Sequence, residues 1–294
     1  MSRWLRVAGT GASFAAFGIG GLLLAFGLFP LVRLTTRDAR RREERAQYLV
    51  HLAFRVHVRL MEAFGVCKLT VRGAERLREP DGQLIVANHP TLIDVVLIGS
   101  LMPQLDCLVK IGAWSNPFMR GVVRAAGYVP NDLGEAVVDA CAARLREGRS
   151  LLLFPEGTRS LKDGALGAFH RGAAHVALCS GRPIRPLLIT CHPRFLTRGQ
   201  HWYDVADRPM GFSIEVGEPI DPSVVTREDE SRGVASRKLT AALRDFYEAG
   251  LYDRRGRGAG DALQGRDLQV GHGLDEDGVP LPRSGPAPAS PPRR

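Results

Sequence analysis

The sequence predicts an α/β fold: a mixed, largely parallel sheet flanked by helices, preceded by an N-terminal hydrophobic membrane helix or two-helix anchor. Three observations lead to it. Val7 to Val32 is a run of 26 residues without a charged side chain. From Cys67 to about Tyr252, short apolar runs alternate with segments of helical period, the pattern of strands interleaved with helices. With 45% hydrophobic and 24% charged residues over 294 positions, the chain has the apolar content for a packed core.

Residues 1–45 are read as a membrane anchor with a basic flank. As a helix, Val7 to Val32 reaches ~39 Å, more than the ~30 Å hydrocarbon core of a bilayer requires. Its glycines (Gly9, Gly11, Gly18, Gly20, Gly21, Gly27) weaken a helix in water but suit close helix packing in lipid. Only Arg3 and Arg6 precede the run, whereas six arginines follow it within residues 33–45. This positive-inside bias places the rest of the chain on the cytoplasmic side of the cell inner membrane, with an anionic membrane surface as a partner.

Residues 46–65 form the next helix, with His51, Arg55, Arg59 and Glu62 on one stripe. A mostly apolar helix behind a polybasic cluster is read as lying in the interface; a core helix of the following domain is the alternative. Residues 66–253 form the globular domain. Strands are predicted at 67–72, 84–87, 106–110, 151–154, 184–190 and 212–216, and helices at 90–101, 117–125, 133–147, 170–180 and 232–249. Residues 254–294 hold 14 Gly or Pro among 41 positions, too little apolar content to order a chain, and are predicted to be a disordered tail.

The formal net charge is +9, and residues 1–60 hold ten arginines against Asp38, Glu43 and Glu44. The rest of the chain is nearly neutral, so a basic groove for nucleic acid is not expected. Five cysteines, an odd number without a C-x-x-C pair, argue against a disulfide framework and against a zinc site, and no metal is expected. They read as small core residues in a reducing compartment.

The chemistry is expected just after two strands. LIVA (84–87) runs straight into Asn88-His89-Pro90-Thr91-Leu92-Ile93-Asp94. Pro90 keeps His89 extended and suits the first position of a helix, which puts Asp94 in the second turn, within reach of the imidazole. A neutral imidazole can take a proton from a hydroxyl while a carboxylate fixes its tautomer. His272 and Asp277 repeat the spacing in the tail, but only His89 follows a strand and precedes a proline. The second constellation, Phe154-Pro155-Glu156-Gly157-Thr158-Arg159-Ser160, follows the strand LLLF. Gly157 permits close backbone approach, and Thr158, Arg159 and Ser160 offer donors to an anionic oxygen. Parallel strands would bring both groups to one sheet edge, where α/β proteins bind ligands. Taken singly, His89 also reads as a structural histidine and Glu156–Arg159 as an exposed ion pair.

Together these segments resemble the glycerol-phosphate and lysophospholipid acyltransferase family (1-acylglycerol-3-phosphate acyltransferase-like). NHPTLID and FPEGTRS are similar to its first and third conserved blocks, and PIRPLLI (183–189) to its fourth. Lys110, through Asn116-Pro117 and Gly121 to Gly127-Tyr128-Val129-Pro130, is similar to the second. The resemblance covers roughly residues 65–220. It implies a membrane-bound O-acyltransferase moving a fatty acyl group from acyl-CoA or acyl carrier protein to the hydroxyl of a lysophospholipid-like membrane lipid, without an organic cofactor. It implies His89 as general base and Asp94 as its orienting partner. Glu156, Gly157, Thr158 and Arg159 would bind the acceptor, with Arg159 on any phosphate and Lys110 a further candidate for that task. Backbone N–H groups near the start of the 90–101 helix would stabilise the oxyanion.

One departure stands out. The family often closes its second block with an arginine after an aliphatic residue and an aspartate. Here the chain reads Pro130-Asn131-Asp132, where Asp132 and Glu135 suit a helix capping box. A lipid acceptor that is not a glycerophosphate is therefore an alternative. Two other readings stand beside it. A lipid-acyl hydrolase would want G-x-S-x-G, which is absent. A membrane-anchored non-catalytic scaffold would tolerate loss of His89.

Overall fold

The protein is described by a computed structural model covering residues 3–267, apart from positions 80, 117, 118, 135, 162, 163 and 228; for 253–267 it describes the backbone alone. The chain divides into two units, residues 1–250 and 251–294.

In the first unit, α1 (Arg3–Leu23) passes through a π-helical turn at Leu24–Leu28 into α2 (Phe29–Thr35), a continuous apolar rod of 33 residues. Pro30 explains the widened turn: its ring crowds the carbonyl four residues back and it has no N–H to offer. The chain then reverses. Asp38 caps α3 (Ala39–Ala63), its carboxylate accepting the Arg41 N–H at 2.8 Å. The helix expected from residue 46 thus begins seven residues earlier, and the arginine cluster forms its first turns.

Helix α3 packs as a core helix, the alternative reading, since Val50, His51, Val58 and Met61 are buried. Of the anticipated stripe only Arg55, Arg59 and Glu62 are exposed; His51 turns inward and pairs through Nδ1 with the Gly99 carbonyl at 2.9 Å. The apolar rod lies along α3 over its whole length. Gly9 sits against Phe64 and Val66, Phe17 against Phe54 and His57, and Leu24 and Phe29 against Ala46 and Val50. Both ends of the rod therefore meet the same globular body. The rod is thus half of a packed two-helix pair rather than a lone helix, and the charge difference between its flanks fixes no side of a membrane.

Seven strands follow: β1 (Cys67–Arg72), β2 (Leu84–Ala87), β3 (Asp106–Val109), β4 (Val129–Pro130), β5 (Leu151–Leu153), β6 (Ile184–His192) and β7 (Met210–Val216). They form one sheet in the order β1-β7-β6-β2-β5-β3-β4, parallel throughout except for the β6–β7 pair. Between them run α4 (Asp94–Gly99), α5 (Ile111–Ser115), α6 (Arg120–Ala125), α7 (Ala136–Arg146) and α8 (Gly172–Ser180), and after β7 come α9 (Pro222–Val225) and α10 (Arg232–Asp267), the last described element. Helices α3 and α4 cover one face, burying Met61, Leu97 and Ile98 against Ile85, Ala87, Leu152 and Leu187. From α10, Tyr247 reaches the sheet, its hydroxyl donating to the Val86 carbonyl at 2.7 Å. All five cysteines are free, and burial pushes the thiols of Cys67, Cys141 and Cys191 up to about 12.

Every anticipated strand is present, with ends shifted by two residues at most; the two-residue β4 and the short α5 and α9 are additions. The capping box at Asp132 and the helix start at Pro117 cannot be compared, because Glu135 and Pro117 lie outside the described residues. In the second unit, the helical backbone of α10 continues to Asp267, into the segment expected to lack order. The prolines that weighed against structure there begin only at Pro280, and residues 254–267 contain none. Residues 268–294 lie outside the described residues.

Candidate active site

The adjacent parallel strands β2 and β5, with Leu84 opposite Leu151 and Val86 opposite Leu153, end at one edge of the sheet, so the two motif loops meet. Asn88 anchors the first. Its buried amide donates to the Ile189 carbonyl at 2.8 Å and accepts the Ile189 N–H at 2.7 Å, extending the β2–β6 pairing by one side chain. The turn through Pro90–Ile93 then returns Asp94 to the imidazole, with Oδ2 at 2.8 Å from His89 Nδ1. Asp94 is fully buried, whereas the His89 side chain keeps 17% exposure, enough for one edge of the ring to meet a ligand.

Thr91 completes this pair. Its N–H donates to Asp94 Oδ2 at 2.8 Å and its hydroxyl to Oδ1 at 2.5 Å. A carboxylate surrounded by these donors acts as acceptor throughout, so Nδ1 of His89 carries its hydrogen and Nε2 keeps the lone pair. Phe154 stacks on the imidazole with ring centroids 4.2 Å apart. Helix α4 begins at Asp94 rather than at Pro90, so Asp94 sits in the first turn instead of the second, with its carboxylate accepting the Thr91 N–H. The N–H groups of Thr91 and Leu92, near the expected helix start, are committed to Asp94 and to the Leu196 carbonyl.

The loop after β5 turns at Gly157, whose φ of +60° favours glycine and whose N–H donates to Phe154 O at 3.0 Å. Glu156 differs from its expected role at the acceptor. It is 3% exposed; Oε1 accepts the His89 N–H at 3.0 Å and the Ser160 hydroxyl at 2.8 Å, and Oε2 accepts the Gly167 N–H at 2.7 Å. Ser160 N–H donates in turn to the His89 carbonyl at 2.8 Å. Both peptide groups of His89 are therefore held by the second motif, and Glu156 works as a clamp facing inward.

Arg159 is half-buried and donates through Nη1 to the Leu196 and Thr197 carbonyls, each at 3.1 Å. Among the described residues, its Nε and Nη2, and the N–H groups of Thr158 and Arg159, have no acceptor. These are the donors left for an anionic oxygen. Lys110, exposed at the end of β3, stands on the same edge two strands from β2, outside the His89 cluster. Sequence reading missed Thr91, Phe154 as a ring support, and the β6–β7 loop. The first two lay inside the quoted motifs, while nothing in residues 193–209 marks the loop as part of the site. Leu196, at φ +56°, turns a single carbonyl towards both Leu92 and Arg159.

Residues 68–190, which hold the His–Asp pair and the Gly-Thr-Arg turn at one edge of a largely parallel sheet, match the family model described as Acyltransferase. Over part of its length the chain is similar in sequence to 1-acyl-sn-glycerol-3-phosphate acyltransferases. It is 33% identical over 128 residues to the chloroplastic 1-acyl-sn-glycerol-3-phosphate acyltransferase LPAT1 of Arabidopsis thaliana, covering 42% of this chain and 36% of the relative. It is 24% identical over 216 residues to 1-acyl-sn-glycerol-3-phosphate acyltransferase alpha of Homo sapiens, covering 71% of this chain and 72% of that one. The chain spans little more than a third of the length of the plant relatives it matches. Its fold is that of the crystallised 1-acyl-sn-glycerophosphate acyltransferase from Thermotoga maritima, with a TM-score of 0.64 at 20% identity over 84% of this chain and 97% of that one.

Proposed function

We propose that the protein is a membrane-bound O-acyltransferase that moves a fatty acyl group from acyl-CoA or acyl carrier protein to the hydroxyl of a lysophospholipid-like acceptor. The 2.8 Å contact between His89 Nδ1 and Asp94 Oδ2 carries this reading, because it occupies Nδ1 and leaves Nε2 as the base on a ring that is not wholly buried. The acceptor hydroxyl gives its proton to Nε2 as its oxygen attacks the thioester carbonyl, and Asp94 stabilises the imidazolium. Collapse of the tetrahedral intermediate breaks the C–S bond, and His89 returns the proton to the leaving thiolate. The free donors of Thr158 and Arg159 suit a phosphate on the acceptor, with Lys110 as a more distant cation.

The two-helix anchor supports work on lipids, since Leu23, Phe26, Leu31 and Leu34 project from the packed body. The free cysteines suit a reducing compartment, which supports the reading of the domain at the cytoplasmic face of the inner membrane. The test is a panel of labelled acyl-CoA and acyl-carrier donors against lipid acceptors, with mass analysis of products. His89→Ala should lower transfer by at least ~10²-fold. Release of free fatty acid without an acylated acceptor would make the protein a hydrolase, and unchanged transfer in His89→Ala would remove the proposed base.

A further inference from the structure

Arg6 occupies an unusual position for a cation. It lies in the early turns of α1 and is 8% exposed, yet among the described residues it pairs with no carboxylate and makes no hydrogen bond; its Nε is fully buried and unpartnered. One turn on, Thr10 is 2% exposed, and its Oγ1 is likewise buried without a partner. Both line one small cavity, about 10 Å³, closed by Val66, Phe195, Val205 and Met210 and rimmed by Arg208. That volume holds one water-sized oxygen. A guanidinium withdrawn from water without an anion is costly, whereas an oxygen that accepts from Nε and Oγ1 while bringing negative charge removes the cost.

The position narrows the ligand. β6 runs parallel to β2, and β7 antiparallel to β6, so the first residues of β7 lie at the sheet edge that carries His89. Met210 is the first residue of β7, and the β6–β7 loop contributes Phe195, the residue before the Leu196 carbonyl that Arg159 and Leu92 share. On the outer side, Trp4 and Leu5 are 81% and 60% exposed, apolar surface beside a buried cation.

We propose that Arg6, Thr10 and Arg208 form a phosphate-binding site separate from the acceptor loop, in which one non-bridging phosphate oxygen enters the cavity between Arg6 and Thr10. The site does not rest on the acyl-transfer reading. Its chemistry is met by the headgroup of an anionic phospholipid or by free phosphate, and two arms of one experiment separate them. The full-length protein in detergent is titrated with inorganic phosphate while thermal unfolding is followed. In parallel, it is bound to vesicles of phosphatidylcholine with and without one-fifth phosphatidic acid. Arg6→Met, Thr10→Val and the exposed-charge control Arg3→Gln are measured alongside.

In phosphate-free buffer Arg6→Met should be at least as stable as wild type, since it removes an unpaired buried cation, so misfolding does not confound the result. Arg6→Met should lose about tenfold in affinity for one or both ligands, as expected for a charge-assisted hydrogen bond, with a smaller loss in Thr10→Val and less than twofold in Arg3→Gln. An effect on inorganic phosphate assigns free phosphate; an effect only on phosphatidic acid vesicles assigns the lipid headgroup. Equal losses in Arg3→Gln and Arg6→Met, or no loss in Arg6→Met, would overturn the site. A phosphate response that survives Arg6→Met and vanishes in Arg159→Ala would assign the anion to the acceptor loop and overturn it equally.

Discussion

A buried carboxylate persists only where donors answer its oxygens, and the three donors around Glu156 decide what that residue does. In Glu156→Gln one oxygen becomes an amide NH2 that must face the N–H of Gly167 or of His89, leaving donors opposed and unsatisfied. The expected cost is about 1–3 kcal/mol of stability. Turnover should fall while the KM for the acceptor stays within about twofold, because what loosens is the backbone of His89. Thermal unfolding and steady-state kinetics check both, and a change confined to the acceptor KM would return Glu156 to the acceptor. At this scale the motifs told which residue types gather and in what order. They could not tell which way a polar side chain faces: Glu and Arg stand three apart in one turn, yet one closes inward on the backbone and the other keeps free donors.

Among the elements, α3 bears the most on how the anchor is held. Gln47 donates to Asp106 Oδ1 at 2.7 Å and to the Ala126 carbonyl at 2.9 Å, and Arg149 grips Asp106 with two bonds while reaching Glu43 at 2.7 Å. Burial opposes ionisation of Glu43, but hydrogen bonds from Arg144 and Arg149 prevail and hold its carboxyl below the usual range. Strands were legible in the sequence because β2 and β5 are buried on both faces and read as unbroken apolar runs, and β6 carries the apolar stretch Leu187–Ile189. The arginines in the first turns of α3 misled for a physical reason: the same cluster serves a headgroup layer or a helix whose glutamate and glutamine are clamped to a domain. Midway along α3, His57 packs edge-on to Phe17 with centroids 5.0 Å apart, and burial pushes its imidazole below the ordinary value of 6.5. A base whose folded pKa is depressed stabilises the fold fully above its unfolded pKa and loses that contribution as pH falls below it. The α1–α3 seam should therefore loosen as pH drops from about 6.5, seen as faster hydrogen exchange in α1, and His57→Phe should flatten the dependence.

At the scale of the whole molecule, the question is which surface meets the bilayer. A rod held at both ends on one body cannot carry that body's chain across the membrane, yet only 11% of its apolar window is buried. Its packed face uses Ser13, Leu24 and Phe29, while Leu23, Phe26 and Leu34 are 64%, 79% and 83% exposed. On the proposed reading, so large an exposed apolar strip is the surface that meets the lipid, inserted along one leaflet with the sheet edge bearing His89 carried beside it. Leu23→Asp with Phe26→Asp puts two carboxylates on that strip at up to about 3 kcal/mol each, and vesicle affinity should fall by about 10²-fold or more. Neither side chain supports α3, so circular dichroism and thermal unfolding should match wild type, and turnover of a short-chain acceptor dispersed in detergent should persist. Unchanged vesicle binding would move the membrane contact to another face. Loss of turnover on the dispersed acceptor would show that the apolar rod shapes the site itself, since the Trp202 ring of the β6–β7 loop lies against Gly11 of α1.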